Sequence, residues 1–387
     1  MAFKSGQDAR APTKTLLKFE KVLILLFDDE NLCLMSFVLQ ENVRLGEFTT
    51  LRIGGAARFF VSATNENDVI EALEFARKND LKVFILGGGS NVLIADKGFD
   101  GLVLQTALKG ISVSEEKDKI VYVTAGAGED WDAFVKFCVK ENLQGVECLS
   151  GIPGFVGGTP VQNVGAYGQE VGETIHVVKV LERESGKTSE MTNAECGFAY
   201  RASIFNTTEK NRYVVLSVTF ALRKNGKPKI IYKDLQNFFA DKKPSLRETR
   251  QAVLQIRRAK SMVIDKRDAN SKSAGSFFKN PIVTNKEFAN VERLAKSLQI
   301  ETVPKFIVDA ETVKIPAAWL IEKSGFQKGF KSGSVGLSAN HTLAIVNLGG
   351  ATANDVLALK DEIQNKVKNK FNIDLKPEPI FIGFEKF

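Results

Sequence analysis

The chemistry-bearing part of this chain begins at Gly87–Gly88–Gly89–Ser90–Asn91, directly after the apolar run Val83–Leu86. Without a Cβ, backbone N–H groups in such a strand-end turn can close on an anion, and Ser90 and Asn91 can add side-chain donors. Two more glycine passages, Ala125–Gly128 and Gly154–Gly168, extend the pattern. Together they read either as a cradle for a large phosphate-bearing cofactor or as tight turns in a β-rich domain. Three side chains elsewhere invite the same question. Arg201, in Tyr200–Phe205, presents a planar guanidinium suited to carboxylate recognition, or a structural ion pair. Ser276 is a hydroxyl between Gly275 and Phe277–Phe278, and Glu378 is held between Pro377 and Pro379. Each alone also fits an ordinary loop.

Two familiar patterns fall away on spacing, and a third stays as a remote alternative. Gly186–Lys187–Thr188 ends like a phosphate-binding P-loop, but the glycine required five residues earlier is Leu181, and the polar setting suits a hairpin turn. After Gly126 and Gly128 the sixth position of a dinucleotide fingerprint is Trp131. Ser276-x-x-Lys279, Lys331–Ser332–Gly333 and Ser338-x-Asn340 supply the elements of a penicillin-binding-type serine acyl transferase. The Lys-Ser-Gly element here precedes Ser-x-Asn, whereas in those enzymes it follows at a distance, so this is a remote alternative.

Composition narrows the class. With 387 residues, 44% hydrophobic and 26% charged, the chain has the make-up of a globular protein of two or three domains. Its longest fully apolar run, Val22–Phe27, is far short of the ~20 residues of a membrane-spanning helix, and Asp28–Asp29–Glu30 end it. A cytoplasmic protein with no membrane partner is expected. Four scattered cysteines (Cys33, Cys138, Cys148, Cys196) and two histidines (His176, His341) argue against a disulfide framework and a metal site. The net charge of +7 has its densest basic excess between Arg223 and Lys279, mixed with acids. With no nucleic-acid signature, it reads as a solvated face or as attraction for phosphate-bearing small molecules.

The positioning elements alternate from about residue 48. Arg58–Val61 is strand-like. Thr64 could cap a helix to about Lys78 with Val69, Ile70, Leu73 and Ala76 on one face. Val83–Leu86 and Ile120–Thr124 are strands, and Trp131–Asn142 is a helix burying Trp131, Phe134, Val135 and Cys138. Val177–Leu181 and Tyr213–Leu222 are strands, and Leu246–Lys260 is a helix. Thr352 with Asp355 fits a capping box opening a helix with Val356, Leu359, Ile363 and Val367 inward, and Ile380–Gly383 closes the chain as a strand. The mixture without a strict beta-alpha-beta rhythm predicts an α+β fold. Residues 1–40 have no assignable fold, and Met35 is a candidate biological start.

Taken in order, the passages resemble the UDP-N-acetylenolpyruvoylglucosamine reductase family, flavoenzymes of bacterial peptidoglycan precursor synthesis. The likeness runs from about Glu47 to Gly383. It rests on Thr50–Gly55, Leu86–Leu93, Gly126–Glu129, Gly151–Gly154, Gln162–Gly168, Tyr200–Arg201-x-Ser203-x-Phe205, Gly275–Pro281, Ala318–Ile321 and Pro377–Glu378. Gln162–Asn163 and Tyr232, on a loop over the substrate, point to one subtype. The resemblance implies a two-part FAD-binding domain of the vanillyl-alcohol-oxidase type over 41–224. An α+β substrate-binding domain would occupy 225–387, its final strand returning to the first.

It also implies roles. Gly87, Gly88, Gly89, Ser90, Asn91, Gly128, Gly154, Gly157, Thr159, Asn163 and Gly165 would hold FAD. Arg201 and Glu378 would flank the enolpyruvyl group, and Ser276 would be the proton donor. Tyr200, Tyr232, Lys260, Asn280, Lys328 and His341 would contact substrate. A position often occupied by arginine is Ile380, which leaves one anion contact open. NADPH would reduce FAD, leave, and be replaced by the enolpyruvyl sugar. Hydride would add to the vinyl carbon, and an enolate would form beside Arg201. Glu378 could assist only if protonated or donating through a water, so a raised pKa is expected. The protein is expected to be a monomer with small-molecule partners only. Other readings are a flavin oxidoreductase of the same fold acting on another substrate, and a catalytically silent binding protein.

Overall fold

Two sheets of different construction carry the first half of the chain. They are seen in a computed structural model that describes residues 37–114 and 118–384, with the backbone of Leu16–Phe19 and Val22–Leu25. In the first sheet Ala56–Ala63 runs parallel to Phe99–Thr106, which runs parallel to Val83–Leu86, while Gln40–Arg44 adds antiparallel at the edge. Leu102, Val103 and Leu104 are all buried, as a parallel strand covered on both faces requires. Helix Glu66–Lys78 covers one face with Val69, Ala72, Leu73, Phe75 and Ala76. Its cap is Asn65, whose side chain accepts from the Asp68 N–H, rather than the expected Thr64. Thr64 instead donates its N–H and hydroxyl to the Asp68 carboxylate, so the neighbouring residue is left free to close the first turn.

The second sheet is antiparallel throughout, in the order Thr188–Thr192, Ile175–Glu182, Tyr213–Lys224, Ile120–Gly126, Ile111–Val113. Gly186 lies in the turn joining its first two strands, at φ +68°, which fits the hairpin reading of Gly186–Lys187–Thr188. Helix Trp131–Lys140 lies against this sheet, with Trp131, Phe134, Val135 and Cys138 buried. It stops two residues short of the expected end because Asn142 turns left-handed at φ 56°.

Helices Lys233–Phe239 and Leu246–Ala259 then cross back onto the first half. Leu235, Phe239, Ala252 and Val253 pack with Cys148 and Tyr167. Arg250 grips Asp132 with two hydrogen bonds of 2.6 and 2.8 Å. The remaining chain builds a core from helices Asn285–Ser297, Ala317–Lys323 and Ala353–Phe371, and this core also takes in Leu51, Ile53 and Leu93. The last helix opens on the Thr352–Asp355 capping box and buries Val356, Leu359, Ile363 and Val367, as its spacing predicted. The strand Ile380–Ile382 runs parallel to Val92–Ile94, directly after the glycine loop. Among the described residues no helix is long and apolar enough to cross a membrane.

Within 1–40, the backbone of Leu16–Phe19 pairs antiparallel with Val22–Leu25, which the sequence did not suggest. Met35 lies outside the described residues. Phe37 and Leu39 are buried in the core with Val61 and Val69. A chain shortened to begin at Met35 keeps both side chains and is expected to fold with an unchanged melting temperature. Removing Leu39 as well is expected to lower it, since emptying a buried leucine site costs ~2–5 kcal/mol of stability. Thermal unfolding of the two shortened chains checks this, and a drop already at Met35 would tie the preceding residues to the core.

Candidate active site

The loop Gly87–Asn91 is shaped by close backbone packing. A Cβ on Gly88 would lie 2.7 Å from Gly154 Cα, and one on Gly89, at φ +62°, would lie 1.9 Å from Phe48 O. Only glycine fits either place. Beside Gly87 the equivalent space is empty to 4 Å. Among the described residues, none of the backbone N–H groups of Gly87–Asn91 donates a hydrogen bond to the protein. Backbone donors left unspent beside open space make an anion-binding concavity. The residues therefore fit a pyrophosphate-bearing cofactor. A cleft of about 290 Å3 adjoins it, lined in part by Thr50, Gly88, Gln105, Phe155 and Lys272.

Other residues expected at the cofactor also have contacts within the protein. The Thr159 hydroxyl donates to Val156 O at 2.8 Å. The Asn163 amide donates to Glu170 and Ala199 O, and its oxygen accepts from the Gly172 N–H. Gly128 and Gly157 are accounted for by packing, since a Cβ on each would meet Ala107 at 2.3 Å and Ala127 at 2.6 Å. Gly154 lies under Ser90, and the Gly165 carbonyl accepts from Arg201 Nη2 at 2.8 Å.

Arg201 is held by its loop. Ala199 and Ala202 exchange backbone hydrogen bonds, and Asn206 donates to Arg201 O at 3.2 Å. Asn163, Tyr167 and Arg201 all have positive φ, at 45°, 50° and 54°. Such strain costs on the order of 1–3 kcal/mol per residue and persists only where the surroundings impose it. Arg201 Nε lies 3.2 Å from Glu378 Oε1, an ion pair by distance. Its N–H is nevertheless misaligned and makes no hydrogen bond among the described residues. The donor faces the Glu378 carboxylate but is not aligned with it, so an anionic ligand in line with the N–H would complete its bond.

Glu378 is fixed by its prolines and by backbone bonds on both sides. Its N–H donates to Phe277 O at 2.9 Å, and Phe278 bridges Pro377. That ladder brings the Ser276–Phe278 segment beside Glu378, with Phe277 and Phe278 as buried anchors. Asn91 Nδ2 donates to Glu378 O at 3.3 Å and to Gln162 Oε1 at 2.6 Å, and the Ile380 N–H donates to Asn91 O at 3.0 Å. The anion loop and the carboxylate are thus one bonded unit. Burial pushes the Glu378 carboxyl above its ordinary range, although Arg201 and Lys279 pull it back. This is the direction expected for a carboxyl that must donate a proton or hydrogen bond.

Ser276 Oγ lies 3.3 Å from His341 Nε2. Burial, with the charges of Lys260, Lys328 and Arg257, pushes His341 down to about 4, so the ring is neutral near pH 7. Lys260 pairs with Asp234 at 2.6 Å and stands over the Tyr167 ring, which meets Tyr232 edge-on at 5.4 Å. Burial alone would depress its ammonium, but the Asp234 bond holds it above its usual value. Asn280 caps helix Ala317–Lys323 by accepting the Ala317 N–H at 2.8 Å. Tyr200 stacks with Arg201 and Lys314, the ammonium 4.4 Å from the ring centre. Lys328 and Tyr232 are exposed, as is Ile380.

The serine-transferase pattern does not assemble. Ser276 meets an imidazole rather than a lysine, Ser338 is fully buried, and Lys331 is exposed in Lys331–Ser332.

Sequence reasoning missed Lys314, Asp234 and Arg257. For Arg257 a signal existed: Leu246, Thr249, Val253 and Arg257 share one helical face and all are buried.

Comparison with known proteins agrees with this geometry. Residues 57–192 match the model of an FAD binding domain, and residues 267–382 match the C-terminal domain of UDP-N-acetylenolpyruvoylglucosamine reductase. The UDP-N-acetylenolpyruvoylglucosamine reductase of Thermobifida fusca is 45% identical over 349 residues, 88% of this chain and 97% of that one. That of Saccharopolyspora erythraea is 42% identical over 347 residues, 87% and 94% of the two chains. The crystal structure of the Thermus caldophilus enzyme superposes with a TM-score of 0.60 at 25% identity, covering 89% of this chain and 99% of that one. With nearly whole-length relatives on both the sequence and the structural side, the chain belongs to the UDP-N-acetylenolpyruvoylglucosamine reductase family.

Proposed function

We infer that the protein is an FAD-dependent oxidoreductase that uses NADPH to reduce UDP-N-acetylglucosamine enolpyruvate to UDP-N-acetylmuramate. One observation carries this reading beyond family membership: the unspent backbone donors of Gly87–Asn91 are bonded through Asn91 to Glu378, which faces Arg201. When bound, FAD supplies hydride transfer from NADPH to the vinyl carbon of the sugar.

The side chains do the rest. Gly87–Asn91 hold the pyrophosphate. Arg201 offers its open Nε–H and its charge to the substrate carboxylate, where negative charge grows after hydride arrives. Glu378, whose carboxyl burial pushes above its ordinary range, donates to the same group when it carries a proton. Ser276 gives its proton to the neighbouring carbon. Lys260 and Tyr232 take the sugar nucleotide's outer end, with Asp234 yielding Lys260 to a phosphate. Lys328 adds charge at the rim. Asn280 positions helix Ala317–Lys323. We extend the reading to a cytoplasmic protein that is a monomer, and gel filtration against standards tests the monomer.

The purified protein is expected to be yellow, with one FAD that acid precipitation releases into the supernatant. NADPH oxidation should depend on the enolpyruvyl sugar. A colourless protein, or colour retained in the pellet, overturns the cofactor assignment. NADPH oxidation indifferent to that sugar points to a flavin oxidoreductase with another substrate.

A further inference from the structure

We propose that His341 is a positioning residue for the proton donor, its Nε2–H donating to Ser276 Oγ so that the serine hydroxyl hydrogen is free for the substrate. The inference rests on the functional reading above.

The contact itself is 3.3 Å between Ser276 Oγ and His341 Nε2. A neutral imidazole has one N–H and one lone pair, so Nε2 either accepts the serine proton or donates its own. If it accepts, the only hydrogen Ser276 can give is spent on the ring. If it donates, the hydroxyl hydrogen points elsewhere and Oγ keeps a partner throughout the transfer. In the transfer the Oγ–H bond breaks, and the enolate's electron pair makes the new C–H bond. The O–H pair remains on Oγ as an alkoxide, which solvent reprotonates before the next turnover. Serine is a feeble acid, so a donor fixed on that oxygen lowers the barrier where charge develops.

The surroundings suit this role. The groups that act on the ring are Lys260, Lys328 and Arg257, from the end of one helix and from a loop, and all are cationic. Burial first, and these charges with it, keep a second proton off the ring, and the same field favours negative charge on Oγ. The backbone that carries the ring is also well anchored. The His341 carbonyl accepts from the Ala344 N–H at 3.1 Å, Asn340 donates to Ser261 at 2.8 Å, and the Thr342 hydroxyl donates to Glu322.

A double-mutant cycle on the holoenzyme tests it, read as reoxidation of the NADPH-reduced flavin by saturating enolpyruvyl sugar. His341→Leu is expected to slow reoxidation about 10- to 100-fold, the worth of one hydrogen bond to a charged group. In the Ser276→Ala background the same change should alter the residual rate by less than about twofold, because the two residues act as one unit. His341→Gln, whose amide can still donate, should recover most of the rate. Equal losses in both backgrounds, or a glutamine variant as slow as leucine, would overturn the proposal. Wild-type enzyme whose reduced flavin ignores the sugar would instead sink the functional reading.

Discussion

Ser276→Ala is expected to divide the reaction in two. Flavin reduction by NADPH should stay near wild type, because no proton from Ser276 is required there. Reoxidation by the enolpyruvyl sugar should slow by ~10²–10⁴-fold or more, the usual worth of a positioned acid and a lower bound for an essential one. The geometry favours so clean a division. Ser276 is flanked by Phe277 and Phe278, which stay buried whatever occupies position 276, and by Gly275 in a turn. Removing the hydroxyl deletes one contact, to His341, and leaves the Phe277–Glu378 backbone bond untouched. Stopped-flow absorbance of the flavin band follows both half-reactions in one preparation. Equal slowing of the two would make Ser276 a structural residue.

The elements were largely legible from periodicity, and what escaped did so for physical reasons. Helix Ala353–Phe371 buries Val356, Leu359, Ile363 and Val367 along one stripe, and its capping box can be read by eye. Strand Ile380–Ile382 could be foreseen as a strand, but its parallel pairing with Val92–Ile94 is a contact across most of the chain that no local pattern encodes. The glycine loop was legible as an anion cradle only beside its alternative of tight turns. The structure contains both: Gly87 borders open space, while Gly128 and Gly157 are pressed against protein backbone or side chain. Asn163 illustrates a limit of motif reading. Its amide bonds Glu170, Ala199 and Gly172 and so braces the loop, a role that the motif alone does not disclose. Lys314 escaped because its partner, the Tyr200 ring, is distant in sequence and gives no periodic signal.

Arg201→Met is the second large effect, and its pH dependence carries the sharper test. Losing one preorganised charge at a developing oxyanion costs about 10²–10³-fold, so reoxidation by the sugar should fall by that much. Reduction by NADPH should change far less. The expected direction of the pH shift follows from the pair itself. In the wild type, burial raises the Glu378 pKa and Arg201 opposes that rise by stabilising the carboxylate. If Glu378 must be protonated to assist, the reoxidation rate drops as pH climbs through its raised pKa. Removing the guanidinium withdraws the opposing charge, so the carboxyl holds its proton to higher pH and the falling limb moves alkaline. Glu378→Gln, which has nothing to titrate, should lose the limb altogether. Lysine is a poor substitute at 201, since one ammonium cannot both reach Gly165 O and face Glu378 as the guanidinium fork does. A limb that moves acid in Arg201→Met, or survives in Glu378→Gln, would mean that another group titrates and that Glu378 works as a carboxylate.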